Sequence, residues 1–203
     1  MKLNWSENEV KVFQKLNDVH KIQDYLQKTS YNPDYIIKSP RFVLAKKTAH
    51  CFEGALLAAA VLEYYGQRPH LLHFKAYNDD HHVIALYREG KNWGAISKTN
   101  TTMLGFRSAL FPTVQSLAAS YFDFYFNTKA EMSLLGYSGP VNMNKFNSMD
   151  WRYTDQDLTK MGLQFLKLPH HEWKTKRELD KLPKVSKRLK EACFYQANTQ
   201  GLF

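Results

Sequence analysis

The apolar positions change period along the chain, and each change marks an element. Val10, Phe13 and Leu16 recur at helical spacing behind Ser6 and Glu9, a pair that forms a capping box, so a helix is predicted to start at Glu7. Trp5 and Val10 stand where a hydrophobic staple would join them. A second short helix is predicted to open at Asp18 and to carry Ile22, Tyr25 and Leu26 as far as the turn-forming run from Ser30 to Asp34. Residues 35–47, interrupted by Pro40, read as extended or irregular. Residues 48–66 then form the strongest helical pattern, with Thr48 as N-cap, Ala and Leu through the interior, and Gly66 as the C-terminal stop. This helix is apolar nearly all round, so it must be covered on most sides and is expected at the centre of the domain. Gly54 inside it costs about 1 kcal/mol relative to Ala, which predicts close approach by another element.

Past this helix the period falls to two. Residues 71–77 and 82–87 read as strands, Glu89-Gly90-Lys91-Asn92 as a hairpin turn, and residues 93–97 as the returning strand. Pro112 and Thr113 introduce a predicted helix over residues 114–127, where Val114, Leu117, Ala118, Tyr121 and Tyr125 share a face. The chain looks looser from Thr128, with short helices predicted after Thr154, around residues 158–166 and over 187–194, and with Pro169 and Pro183 as breaks. The expected fold class is α+β: a central helix on an antiparallel sheet, with flanking helices before and after.

At 203 residues the chain suits one domain, divided in this reading into an α+β unit with N-terminal helices over 1–150 and a basic helical extension over 151–203 packed on the same domain. Hydrophobic residues make up 44% and no low-complexity stretch occurs, so disorder over most of the length is excluded. The longest apolar run, residues 55–62, falls far short of the roughly 20 residues that span a bilayer, and the first residues lack a signal peptide's apolar core. A cytoplasmic protein with no membrane association is therefore expected. The net charge of +9 is concentrated: Lys174, Lys176, Arg177, Lys181, Lys184, Lys187, Arg188 and Lys190 face only Glu178 and Asp180.

The chemistry begins at Cys51. With Thr48 as N-cap it falls at the third helical position, where unpaired N–H groups and the helix dipole favour a thiolate and lower the thiol pKa. Cys193 is far away and reads as an inward residue of the last helix, so no disulfide is expected. A thiolate nucleophile needs a histidine held by a third group, and His81 and His82 open a strand about thirty residues on. Neighbouring strand positions face opposite ways, so one of the two is expected to face solvent. The bland alternative is a small, inert core cysteine and an edge histidine.

The run Ala49-His50-Cys51-Phe52-Glu53-Gly54-Ala55, the helix ending Gly66-Gln67-Arg68-Pro69, the strand from His82 to Tyr87, the turn at Gly90 and the strand opening Trp93-Gly94-Ala95 resemble, in that order, the cysteine helix and histidine hairpin of the transglutaminase-like superfamily. The resemblance covers about 50 of the 203 residues; residues 32–125 also look like a group of uncharacterised bacterial proteins with the same arrangement. It implies a papain-like cysteine fold, a nucleophile at Cys51, a base at His82, and a carboxylate four residues after the strand's Trp. That position is Ser97 here, and serine can hold an imidazole tautomer but cannot stabilise an imidazolium as a carboxylate does. Hairpin register leaves the third member open. A two-residue turn at Gly90-Lys91 puts Ser97 or Thr99 on the face of His82, and a three-residue turn puts Lys98 or Asn100 there. Asn100 would supply a Cys-His-Asn arrangement and is the second candidate; Asp79 and Asp80 could also reach the histidine, but are read first as a solvated turn before the strand.

The function this implies is a cysteine hydrolase or acyltransferase acting on an amide or thioester, with a peptide or protein substrate and no cofactor. The alternative is an inactive binding module for a peptide or an acidic partner, or a basic protein that associates weakly with nucleic acid through its C-terminus, with Trp173 as a stacking residue. Arg41, Lys46 and Lys47 could attract an acidic substrate. The histidines lack the i, i+4 spacing of a zinc motif and no CxxC occurs, so no metal site is expected, and His170 and His171 read as surface residues.

Overall fold

The structure, a computed structural model, describes residues 3–198. Its elements run α1 (Glu7–Lys15), α2 (Val19–Lys28), β1 (Ser30–Tyr31), α3 (Pro40–Lys46), β2 (Thr48–Ala49), α4 (Cys51–Tyr64), β3 (His70–Ala76), β4 (His82–Glu89), β5 (Asn92–Ile96) and β6 (Arg107–Phe111). They continue with α5 (Val114–Ala119), β7 (Leu134–Ser138), β8 (Val141–Asn142), α6 (Thr159–Leu166), β9 (His170–Glu172), α7 (Lys176–Leu179) and α8 (Lys187–Cys193). The α+β class is as expected, and the antiparallel sheet is large: β6-β5-β4-β3-β7-β9 in order, with β8 extending β3 beyond β7. No helix among the described residues is long and apolar enough to cross a membrane.

Pleat alternation divides the sheet into two buried faces. Leu71, Val83, Ala85, Tyr87 and Ile96 point to the side where α4 lies, and residues 55–61 of α4 have no exposure at all. Leu72, Phe74, Ile84, Leu86 and Ala95 point the other way, under Leu117 and Ala118 of α5 and the rings of Tyr121 and Tyr125. Residues 151–165 belong to the α4 side, since Trp151, Met161 and Phe165 complete that core, whereas Trp173 packs on the opposite face. Arg152 locks them on: its guanidinium donates to both Glu63 carboxylate oxygens at 2.6 Å and to Asn147 and Asn144.

Gly54 behaves as expected, because Lys98 of the chain after β5 stands where a Cβ would be. The hairpin also takes one of the two expected registers. Glu89 pairs with Asn92, so the turn is the two-residue one, with Gly90 at φ 57°.

Four expectations give way to the structure. Thr48 does not cap α4; with Ala49 it forms β2, parallel to β1, and the helix begins at Cys51. The stretch around Pro40 is not irregular: Ser39 Oγ accepts from Phe42 N–H and Pro40 takes the first helical position, where a missing N–H costs nothing. The helix expected over 114–127 stops at Ala119, where Ser120 Oγ donates back to the Leu117 carbonyl and the aromatic run that follows turns onto the sheet as a short 3-10 helix. Beyond Thr128 the chain supplies strands β7, β8 and β9 to the main sheet.

Candidate functional site

The first turn of α4 is held by two side chains. His50, the N-cap, accepts from Phe52 N–H through Nδ1 at 3.2 Å, while Glu53 Oε2 accepts from His50 N–H at 3.0 Å. Glu53 is fully buried, and it also takes the Asn32 side-chain amide and Lys38 N–H, each at 3.0 Å. That single carboxylate ties the segment around residues 32–38 to the helix start. Between them opens a cavity of about 410 Å³, walled by aromatic and aliphatic groups including Tyr31, Phe52, Leu104, Tyr125 and Phe165, with Cys51, His73, His81, His82, Asp79 and Asp80 among its polar lining.

Cys51 is thus the first helical residue rather than the third, and it is half-buried. Its thiol meets the backbone of the strand start, Sγ lying 3.9 Å from the His81 carbonyl with Val83 N–H facing the sulfur. The expected lowering of the thiol pKa is not what results. Burial pushes it up to about 11; the Val83 and Phe52 N–H groups oppose that, and the negative charges of Asp80 and Glu53 add to it.

His81 and His82 diverge from one backbone. His82 pairs with Phe74 across β3 and lies on the sheet face opposite α4, its ring stacked on Phe74 at an interplanar angle of 10°. There His82 Nε2 and Ser97 Oγ are 2.8 Å apart, so the structure brings these two residues together. The Leu104 carbonyl faces the same ring, which is 95% buried, and desolvation lowers its pKa to about 4. Asn100 does not join them: its amide brackets Asn198, Nδ2 donating to the carbonyl at 2.9 Å and Oδ1 accepting from N–H at 2.8 Å. His81 lies on the α4 side and is only half-buried. The pair therefore divides, with His82 buried and His81 partly exposed at an open pocket.

Several residues of the site had no role in the sequence reading. His81 Nδ1 is 3.1 Å from His73 Nε2, and His73 Nδ1 is 2.8 Å from His170 Nε2, so His170, half-buried on the edge strand, has an inward partner while His171 is exposed as expected. Burial, reinforced by the neighbouring rings, lowers His73 to about 3, and burial also lowers His81 and His170. Asp80 is exposed at the bend before β4, as a solvated turn requires, whereas Asp79 is half-buried. Asp79 accepts from Ser133 Oγ, and desolvation with the adjacent Asp79 charge raises Asp80 to about 6. Tyr125 Oη donates to the Asp80 carbonyl at 2.6 Å and closes that corner. Face parity was the available signal for His73, since residues 73 and 83 are register partners; His170 carried none, because its strand was not apparent.

Among the described residues no Lys or Arg lines the cavity, and Arg41, one of the three offered for an acidic substrate, is paired with Glu9 at 2.7 Å. Trp173 packs against Tyr137, ring centroids 4.8 Å apart, and is half-buried rather than presented for stacking on bases. Among the described residues no group of three His, Cys, Asp or Glu is disposed to hold a metal. Comparison with models of known protein families gives no match, and comparison with curated proteins finds no similar sequence, so the reading of this site rests on its own geometry.

Proposed function

We propose that the Cys51 cavity is a thiol site of the transglutaminase-like kind, which cleaves or transfers the acyl group of an amide or thioester in a peptide, protein or smaller apolar compound. The observation that carries the reading is the position of Cys51: the first residue of a buried helix, on the wall of an open pocket of about 410 Å³ that also holds imidazoles and carboxylates. Sγ attacks the acyl carbon, an imidazole of the His81-His82 corner takes the thiol proton, and backbone N–H groups at the helix start and at Val83 stabilise the oxyanion. Aromatic walls favour an apolar or aromatic acyl group. Carboxylates with no Lys or Arg disfavour an acidic one.

The test is acyl capture. The protein is incubated with an aromatic acyl thioester and intact mass is recorded; a Cys51-linked acyl adduct, removed by hydroxylamine and missing in Cys51→Ser, is expected. Absence of an adduct across a panel of acyl donors would overturn the reading.

A second reading, a binding cavity for an apolar peptide side chain, is favoured by two observations: the thiol is held at about 11, and His82 is engaged by Ser97 on the far face. Nucleic-acid association rests only on the exposed charges after Lys174 and predicts binding that weakens steeply with salt.

A further inference from the structure

Three imidazoles cross the α4 side of the sheet in series, from the cavity at β4 through β3 to the edge strand β9. The fold explains how they meet. His73 is the register partner of Val83, two residues along from His81, and His170 is the partner of Ser138 on β7. Ser138 is small and its hydroxyl accepts from His73 N–H at 3.0 Å, so the His170 ring passes over β7 to reach His73. Phe165 packs on the His73 ring, 6.3 Å between centroids, and His73 is 98% buried.

A central ring that uses both nitrogens must donate from one and accept at the other. The Leu168 carbonyl faces the His170 ring, whose Nε2 is already engaged by His73, and this assigns the His170 proton to Nδ1. Alternation fixes the rest. His170 Nε2 accepts from His73 Nδ1–H, His73 Nε2 accepts from His81 Nδ1–H, and His81 keeps a bare Nε2.

We propose that His81, rather than His82, is the proton acceptor for Cys51, and that His73 and His170 are positioning residues that hold His81 in its Nδ1–H tautomer. This rests on the acyl-transfer reading above. Both histidines line the cavity with Cys51, but the His82 ring is taken up by Ser97 and the Leu104 carbonyl on the far face, whereas His81 stands on the α4 side and its own carbonyl is the partner of the thiol. Lys75, paired with Glu172 beside His170, disfavours a charged form of all three rings; Asp79 and Asp80 stand at the cavity end. The chain is therefore neutral at rest, with a base at its cavity end. In the reaction the S–H bond breaks, its proton passes to His81 Nε2, and Sγ bonds the acyl carbon. As the intermediate collapses, the C–N bond of an amide or the C–S bond of a thioester breaks, and His81 returns the proton to the leaving amine or thiol. His73 shares the transient imidazolium charge, the task a carboxylate performs elsewhere.

The experiment combines imidazole ¹⁵N NMR with alkylation of Cys51 by iodoacetamide at pH 7.5, in a Cys193→Ala background. Expected are an unprotonated His81 Nε2, a His73 ring protonated at Nδ1, and alkylation at least tenfold slower in His81→Gln. His170→Leu, which removes only the far acceptor, is expected to slow alkylation about threefold and to move the His81 tautomer signal, whereas His171→Gln on the opposite face leaves both unchanged. A reactive Cys51 with a proton on His81 Nε2, or one equally reactive in His81→Gln, overturns this inference and leaves the acyl-transfer reading standing. A wild-type Cys51 that is neither alkylated nor acylated overturns both.

Discussion

Two histidines adjacent in sequence occupy opposite faces of one strand, and the two faces give them different chemistry. His82 lies in an aromatic layer, stacked on Phe74, with Ser97 at 2.8 Å, and burial holds it neutral to about pH 4. His81 lies on the α4 side beside the Cys51 cavity and opens a chain of rings toward the sheet edge. Both rings reach the cavity wall, but pleat alternation gives His82 a closed set of partners, Ser97 and the Leu104 carbonyl, and turns His81 toward His73. The carboxylate expected of the resemblance is replaced by Ser97 on the His82 side, where a neutral imidazole needs only a neutral partner.

Variants that separate the faces should separate stability from reactivity. The largest effect is expected from Phe74→Ala, which empties a fully buried site on the His82 side and should cost about 3–5 kcal/mol in denaturant unfolding while Cys51 alkylation in the folded fraction is retained. Next comes pH. His82 has a folded pKa of about 4, below the ordinary histidine value of about 6.5, so the unfolded chain binds more protons between these values and stability falls as pH drops through that window. This group accounts for about 2–3 kcal/mol of the loss. Unfolding titrations at pH 7 and pH 4 should show that part of the loss disappear in His82→Gln.

Ser97→Ala should cost about 1 kcal/mol by leaving a buried ring nitrogen short of a partner. Ser97→Asp should raise the His82 pKa in an NMR titration without raising Cys51 reactivity; a gain in reactivity would move the catalytic face to His82. The smallest effect is expected from Asp80→Asn. Removing a negative charge that raises the Cys51 thiol pKa should speed alkylation about twofold at pH 8.

The parts of the fold legible in the sequence are those whose local pattern agrees with their tertiary setting. The Ser6-Glu9 box, the apolar run of α4 and the Gly90 turn each carry a local signal that the sheet and core only reinforce. Elsewhere tertiary contacts override the pattern. Thr48 looks like a cap, yet its backbone pairs with Ser30, and a histidine with Glu53 behind it does the capping. Strand β7 is buried on both faces, so Leu134, Leu135 and Tyr137 show no alternation against polar neighbours. β9 reads His-His-Glu and gains its strand character only from pairing with β7. The site divided in the same way. Cys51 at a helix start and Ser97 as one of the candidate partners of His82 were legible, although hairpin register left Ser97, Thr99, Lys98 and Asn100 open, while the His73–His170 link spans 97 residues and depends on that unread edge strand. The raised thiol pKa was unreadable as well, since it comes from burial and from Asp80 rather than from the helix start.

The most direct test of a working thiol at this site is the rate of Cys51 alkylation as a function of pH in a Cys193→Ala background. A side chain held at about 11 without assistance would react only in strongly alkaline solution. The account predicts alkylation that persists at neutral pH, falls at least tenfold in His81→Gln and changes less than twofold in folded His82→Gln. Alkylation confined to pH values near 11, indifferent to either histidine, would contradict it and leave a binding cavity with a buried thiol.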